Sequence, residues 1–358
     1  MAQATIPGIR LAGITCAVPA KIEDTNTDIR LYGAEEALKF SETTGIKSRR
    51  IVDSQTCTSD LCYAAADDLL TRLDWSRDTV DALIFITQTP DYLLPATSCC
   101  LQSRLGLSTK CAAFDINLGC SGYVYGMWLA SQMVATGLKR VLLLVGDTPS
   151  RVCRPEDRST RPLFGDAGTA TAITADPQAG LAHFVMGTDG EGKNNLIVKH
   201  GLFRESDRFG EARGNTADGP MLFMDGAEIF TFTLQEVPPL IKQTLKLANW
   251  TMDDVNSVVM HQANGFILNY LAKRMKLPAD KMPLSIGEYG NTSSATIPLT
   301  MAAQMNAQLT TATQKLVMVG FGVGYSWGSV AMECGPMPEL KILTLDAPSS
   351  MSVQEQAA

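Results

Sequence analysis

Short apolar runs alternate with stretches of helical periodicity through most of the chain, a rhythm that predicts an α/β fold with a largely buried sheet. In the first half, residues 82–87 (ALIFIT) read as a strand and 98–105 as a helix. Residues 111–116 read as a second strand, followed by a long helix over 121–136 that Gly137 ends, and 141–145 (VLLLV) as a third strand. The second half replays the order, with a strand at 257–260, helices at 265–275 and 294–307, and a strand at 316–319. Each half then closes on a glycine-punctuated segment, FGDAGTATAI from Phe164 and GFGVGYSWGSV from Gly320. The pattern is an internal duplication of a βα unit. It divides the chain into halves at 1–180 and 181–346 that share one core, since no linker-like composition separates them. Residues 188–220 are polar and glycine-rich, a surface excursion, and 347–358 are small and polar, a tail expected to fray.

Composition narrows the function classes. The 358 residues are 45% hydrophobic and 19% charged, with a net charge of −7. An acidic chain is a poor candidate for general nucleic-acid binding, which needs a basic face. No apolar run reaches the roughly 20 residues that span a bilayer, and the start (MAQATIPGIR) lacks the basic and apolar regions of a signal peptide. Nine cysteines at scattered spacings, with no C-x-x-C pair, suggest neither a zinc site nor a disulfide framework. A reducing cytoplasm is the expected setting, with no metal.

One cysteine stands apart. In AFDINLGCSGYVYG a strand runs into a tight turn, and a helix begins at or just after Cys120. The free N–H groups and positive end of a helix at that place favour a thiolate. Gly119 and Gly122 let the backbone turn and a substrate approach. The helix is apolar on nearly every side and should be buried. A packing cysteine in a βα turn is the plainer alternative. His261, in VVMHQAN, follows a buried strand at its carboxyl end, where open α/β sheets place their sites; a core histidine is the plainer reading. Asn291, in GEYGNTSSATIPL, leads into a helix and could be an ordinary loop or cap residue. The turn GFGVGYSWG offers backbone N–H groups suited to an oxyanion hole.

Taken together and in this order, these four motifs resemble β-ketoacyl-acyl-carrier-protein synthase III, over roughly residues 5–335 and including TTGIKSRR and DRSTRPLFGDAGTA. The resemblance implies a five-layer αβαβα thiolase fold, a homodimer, and an acyltransferase without a resident cofactor whose substrates are acyl thioesters of CoA or acyl carrier protein. It implies that Cys120 carries the acyl group and that His261 and Asn291 hold a malonyl thioester while it loses CO2 and its carbanion attacks. The N–H groups of Cys120 and Val323 would form the oxyanion hole, with Phe321 and Gly322 lining the substrate site. Leu94 would line the partner subunit's acyl tunnel, Arg158 would contact coenzyme A, and Phe266, Lys273 and Arg274 would dock the acidic carrier protein.

Departures from the family's housekeeping pattern qualify the substrate. Lys39 replaces the tryptophan that stacks on adenine opposite the arginine matched by Arg158, Phe266 replaces a docking arginine, and Val323 replaces a glycine. They suit a specialised fatty-acyl, secondary-metabolite or surface-glycan pathway. The GFGVG turn also resembles that of type III polyketide synthases, and a non-catalytic thiolase-fold partner is a third reading.

Overall fold

The computed structural model describes residues 1–199 and 221–346, so most of the excursion expected at 188–220 and the tail from 347 lie outside the described residues. Apolar runs such as Ala82–Ile86 have no polar face to offer water, and each becomes a strand buried on both sides. One sheet has six strands, ordered Lys341–Leu345, Ile9–Pro19, Ala167–Ala175, Arg140–Asp147, Ala82–Ile86 and Ala112–Ile116. The other has five, ordered Ala2–Ile6, Ala182–Thr188, Ser326–Cys334, Gln314–Gly322 and Ser257–Met260.

Both sheets repeat one pairing pattern. Ile9–Pro19 runs antiparallel to Ala167–Ala175, which runs antiparallel to Arg140–Asp147, which runs parallel to Ala82–Ile86. Ala182–Thr188, Ser326–Cys334, Gln314–Gly322 and Ser257–Met260 pair in the same senses. The duplication expected from the sequence is therefore present in the ladders. A boundary near residue 180 separates the strands of the two sheets except at the chain ends. Ala2–Ile6 is an edge of the second sheet and Lys341–Leu345 an edge of the first.

Side-chain alternation along the strands builds the layers. Ile84, Leu143 and Val145 of the first sheet and Val259 and Met318 of the second face inward. There they pack with Val124, Met127, Ile297 and Met301 of the helices Gly122–Ala135 and Thr296–Gln304. Leu83, Phe85, Leu142 and Leu144 face the other way, under the helices Thr58–Arg72 and Thr97–Arg104. Val258, Val317 and Val319 likewise meet Gly226–Ala248 and Gly265–Met275. The result is the αβαβα stack.

One expected helix is subdivided. Residues 294–307 form a 3-10 turn, Ser293–Ala295, then Thr296–Gln304, a break at Met305 (φ −126°) and a second helix, Asn306–Thr311. The side-chain carbonyl of Asn306 there accepts the Leu340 N–H at 2.9 Å, tying the new helix start to the approach of the last strand. Among the described residues, no helix is long and apolar enough to cross a membrane.

Candidate active site

Cys120 lies between the strand Ala112–Ile116 and the helix Gly122–Ala135, and is 6% exposed. The glycine-rich turn that follows Gln314–Gly322 closes over it. A Cβ on Gly322 would stand 2.6 Å from Cys120 Cβ and 2.7 Å from its Sγ, so only glycine fits at that point. The turn is fastened to the helix start by hydroxyls: Ser121 Oγ and Ser326 Oγ are 2.6 Å apart, and Ser326 Oγ donates to the Val323 carbonyl at 2.8 Å. Gly322→Ala is expected to displace Cys120 and slow its acylation on the order of 10²-fold, as misplacement of a reacting group by about 1 Å does. Intact-mass kinetics of acylation, beside an unchanged circular dichroism spectrum, check this.

His261 continues the second sheet beyond Met260, with its N–H donating to the Val319 carbonyl at 2.7 Å. The rest of its motif builds the surroundings. Gln262, fully buried, donates to the Met260 carbonyl at 2.8 Å and accepts the Ser285 N–H at 3.0 Å. The Ala263 carbonyl accepts from Asn291 Nδ2 at 3.3 Å, and Asn264 caps the helix Gly265–Met275 through the Ile267 N–H at 2.8 Å. Asn291 is held by its backbone, which exchanges bonds with Leu163 and Gly165 of the first half (3.0 and 3.1 Å), and its Oδ1 accepts the Ser293 N–H at 2.9 Å.

Ser293 brings the three together. Its N–H is held by Asn291, its carbonyl accepts from Thr296 Oγ1 at 3.0 Å beside His261, and its hydroxyl acts on the Cys120 thiol to lower it. It sits at φ +52°, a left-handed conformation rare for a residue with a side chain. His261 Nδ1 is 2.7 Å from Thr296 Oγ1, and the His261 ring stands edge-on to Phe321 at 5.5 Å between centroids.

Burial sets the charge states. It pushes the Cys120 thiol up to about 11, against the N–H groups of Val323 and of Cys120 itself, which act in the opposite sense. The helix start leads one to expect a lowered thiol, whereas burial, the largest cause, raises it. Burial likewise drives His261 down to about 3. At neutral pH the resting pair is a thiol and a neutral imidazole.

The remaining candidates lie elsewhere. Arg158 and Lys39 border an open cleft of about 420 Å³. Its wall also includes Tyr32 and Phe40, two rings the sequence did not single out. Arg158 is ion-paired with Glu36, and the Tyr32 hydroxyl donates to the Pro155 carbonyl at 2.8 Å. Phe266, half exposed, and the exposed Lys273 and Arg274 lie along Gly265–Met275. Phe266 does not stand alone: Phe230 meets it and Tyr270, each at 5.3 Å between centroids. Leu94 is 77% exposed, beside the exposed Tyr92 and Leu93. Among the described residues, no cluster of His, Cys, Asp and Glu could hold a metal ion. The residues the sequence reading passed over, Ser293 and Thr296, stand inside a motif it had already marked. Hydroxyls in a polar turn carry no signal of their own until the fold shows what they face.

Comparison with known proteins identifies the frame. Residues 114–190 match the family described as 3-oxoacyl-[acyl-carrier-protein (ACP)] synthase III, and residues 245–334 match its C-terminal part. The chain is 32% identical to a putative 3-oxoacyl-[acyl-carrier-protein] synthase 3 of Campylobacter jejuni, over 90% of this chain and 93% of that protein. It is 33% identical to the β-ketoacyl-[acyl-carrier-protein] synthase III of Geobacillus kaustophilus, over 92% and 99% of the two. The crystal structure of a 3-oxoacyl-(acyl-carrier protein) synthase from Burkholderia xenovorans superposes with a TM-score of 0.92 at 45% identity, covering 96% of this chain and 99% of that one. With the duplicated thiolase fold and a cysteine, a histidine and an asparagine converging on one turn, the chain belongs to the 3-oxoacyl-[acyl-carrier-protein] synthase III family of acyl-condensing enzymes.

Proposed function

We propose that this enzyme loads an acyl group on Cys120 and condenses it with a malonyl thioester held by His261 and Asn291. The observation that carries the reading is the Asn291–Thr296 turn, which meets His261 through the Thr296 hydroxyl and whose Ser293 hydroxyl acts on the Cys120 thiol together with the Val323 and Cys120 N–H groups. Those two N–H groups stabilise the tetrahedral oxyanion, and Phe321 and Gly322 line the site.

The Thr296 hydroxyl, which donates to the Ser293 carbonyl at 3.0 Å, accepts from His261 Nδ1–H in the loading step and turns to donate to Nδ1 in the condensation. With the proton on Nδ1, the bare Nε2 takes the Cys120 proton as the sulfur attacks the donor thioester and passes it to the departing sulfur, so that the donor leaves as a thiol. With the proton on Nε2, the ring donates with Asn291 to the malonyl carbonyl while CO2 departs. The resulting carbanion attacks the acyl-cysteine, forms the new C–C bond and expels the Cys120 thiolate. The thioester is the substrate, and this sequence of steps uses no resident cofactor.

The carrier reading rests on two surfaces. Lys273 and Arg274 offer charge to an acidic acyl carrier protein, and Phe266 adds an apolar contact that weakens the salt dependence. In the cleft, Arg158 is engaged by Glu36 and Lys39 supplies no ring, which disfavours free acyl-CoA. The uncovered apolar loop at Leu94 supports a second copy of the chain, whose acyl tunnel it would line. The substitutions at Lys39, Phe266 and Val323 support a specialised pathway, in a cytoplasmic setting.

The test is the rate of Cys120 acylation, by intact mass, from one acyl group on two carriers. Acyl carrier protein is expected to outperform coenzyme A, and Lys273→Glu with Arg274→Glu to slow only that reaction. A clear advantage for coenzyme A would overturn the preference and point to Tyr32 and Phe40 as a rebuilt adenine clamp.

A further inference from the structure

The proposed steps leave one buried ionisable group at the site without a role. Asp147 ends the strand Arg140–Asp147 and is 2% exposed. One carboxylate oxygen accepts from the Gln88 N–H at 2.7 Å and the Thr87 hydroxyl at 3.2 Å. The other accepts from the Ser294 hydroxyl at 2.6 Å and the Ser294 N–H at 3.2 Å. None of the ion pairs among the described residues includes Asp147. A carboxylate buried with neutral donors alone is a costly group to retain.

Its two oxygens reach the two walls of the site. Gln88, from the first half, lies on the nucleophile turn: its Oε1 fills the space a Cβ on Gly119 would need. Ser294, from the second half, follows Ser293, whose N–H is held by Asn291 and whose carbonyl accepts from the Thr296 hydroxyl that meets His261. We propose that Asp147 is a positioning residue for condensation: it bridges Gln88 and Ser294 and so sets the Asn291–Ser293 turn against the nucleophile turn. Loading depends less on it, because the Val323 turn is fastened to Cys120 separately, through Ser121 and Ser326.

The bridge has an electrostatic signature that a purely structural residue would lack. Burial raises the Asp147 carboxyl above the ordinary carboxylate value, against the Ser294 and Gln88 donors that lower it, and in its ionised form it opposes ionisation of the Cys120 thiol. It also opposes that of Cys62, on the helix Thr58–Arg72, which Asp91 and Asp60 face as well. Among the described residues Asp147 is the charged side chain that weighs most on Cys120, and the other titratable group of the site, His261, is neutral. Replacing the carboxylate by an amide keeps the shape and removes the charge.

The inference rests on the assignment of Cys120, His261 and Asn291, and the experiment separates the two. Asp147→Asn, Ser294→Ala and Cys120→Ala are compared with the wild type in single-turnover loading and in condensation at saturating malonyl thioester. Cys120 alkylation by iodoacetamide is followed by peptide mass across alkaline pH. Both Asp147→Asn and Ser294→Ala are expected to slow condensation by about tenfold or more, with loading within about threefold of wild type. Only Asp147→Asn should also alkylate Cys120 faster at a given pH, by at least about threefold, since a like charge has gone. Wild-type condensation in either variant overturns the inference. So does an equal loss of both half-reactions with alkylation unchanged, which marks a merely structural residue. Should Asp147→Asn fail to fold, Ser294→Ala decides alone. Acylation that persists in Cys120→Ala would instead remove the assignment beneath it.

Discussion

Cys120→Ala is expected to leave no detectable acyl-enzyme and to lower overall turnover by on the order of 10³-fold or more, because the covalent carrier is gone. Cys120→Ser should fold normally and lose most of the activity as well, a hydroxyl being the weaker nucleophile. Intact mass after incubation with an acyl donor reads both, and acylation surviving in the alanine variant would reassign the nucleophile. The buried thiol adds a condition on how the residue is found chemically. Iodoacetamide reacts with the thiolate, and the Cys120 thiol is pushed up to about 11. Its alkylation should therefore climb with pH through the alkaline range, with no step near the ordinary histidine value, since His261 is held at about 3. The exposed Cys99 has no such burial and should be labelled first at neutral pH. Rapid alkylation at neutral pH is thus a poor marker of the proposed nucleophile.

His261→Ala and Asn291→Ala are expected to separate the two half-reactions. Each removes one neutral donor from the carbonyl on which charge develops, and loss of one such donor costs about 10²- to 10³-fold. Loading of Cys120 should fall far less, so the variants should accumulate acyl-enzyme and release little condensed product in a single turnover. Equal loss of both half-reactions would show that His261 works mainly on the Cys120 thiol. In the wild type, condensation should hold level from about pH 8 to about pH 5.5, because an imidazole depressed to about 3 takes up no proton there.

Much of this site could be read from the chain because its chemistry is local. A strand, a sharp turn and a buried helix start are written into DINLGCSGYVYG, and HQAN and GNTSS each carry their own caps and turns. The apolar strands were legible for the same reason, since a run buried on both faces is continuous in sequence. What stayed hidden depends on distance. Asp147 looks like any strand-end aspartate until the fold sets Ser294 against it from 147 residues away. Tyr32 and Phe40 lie in helices that pack beside Arg158 only in three dimensions. Helix Gly226–Ala248 holds Pro238 and Pro239 in its interior, residues that ordinarily end a helix. The thiol's protonation was misjudged from sequence because helix-end charge is visible in a motif and burial is not.

The exchange of edge strands at the chain ends bears on synthesis. The strand Ile9–Pro19 is made early, yet one of its two neighbours is Lys341–Leu345, paired in parallel register from Thr15 to Pro19. Emerging from a ribosome, the first half can form five of its six strands and must wait until residue 345 is made before the last can add. The opening strand, Ala2–Ile6, waits too, until Ala182–Thr188 has been made. Contacts of such long sequence separation form late and slowly. The nascent protein thus carries two unfilled sheet edges, the sites at which strands of other chains most readily add, and a ribosome stalled anywhere before residue 341 leaves one of them open.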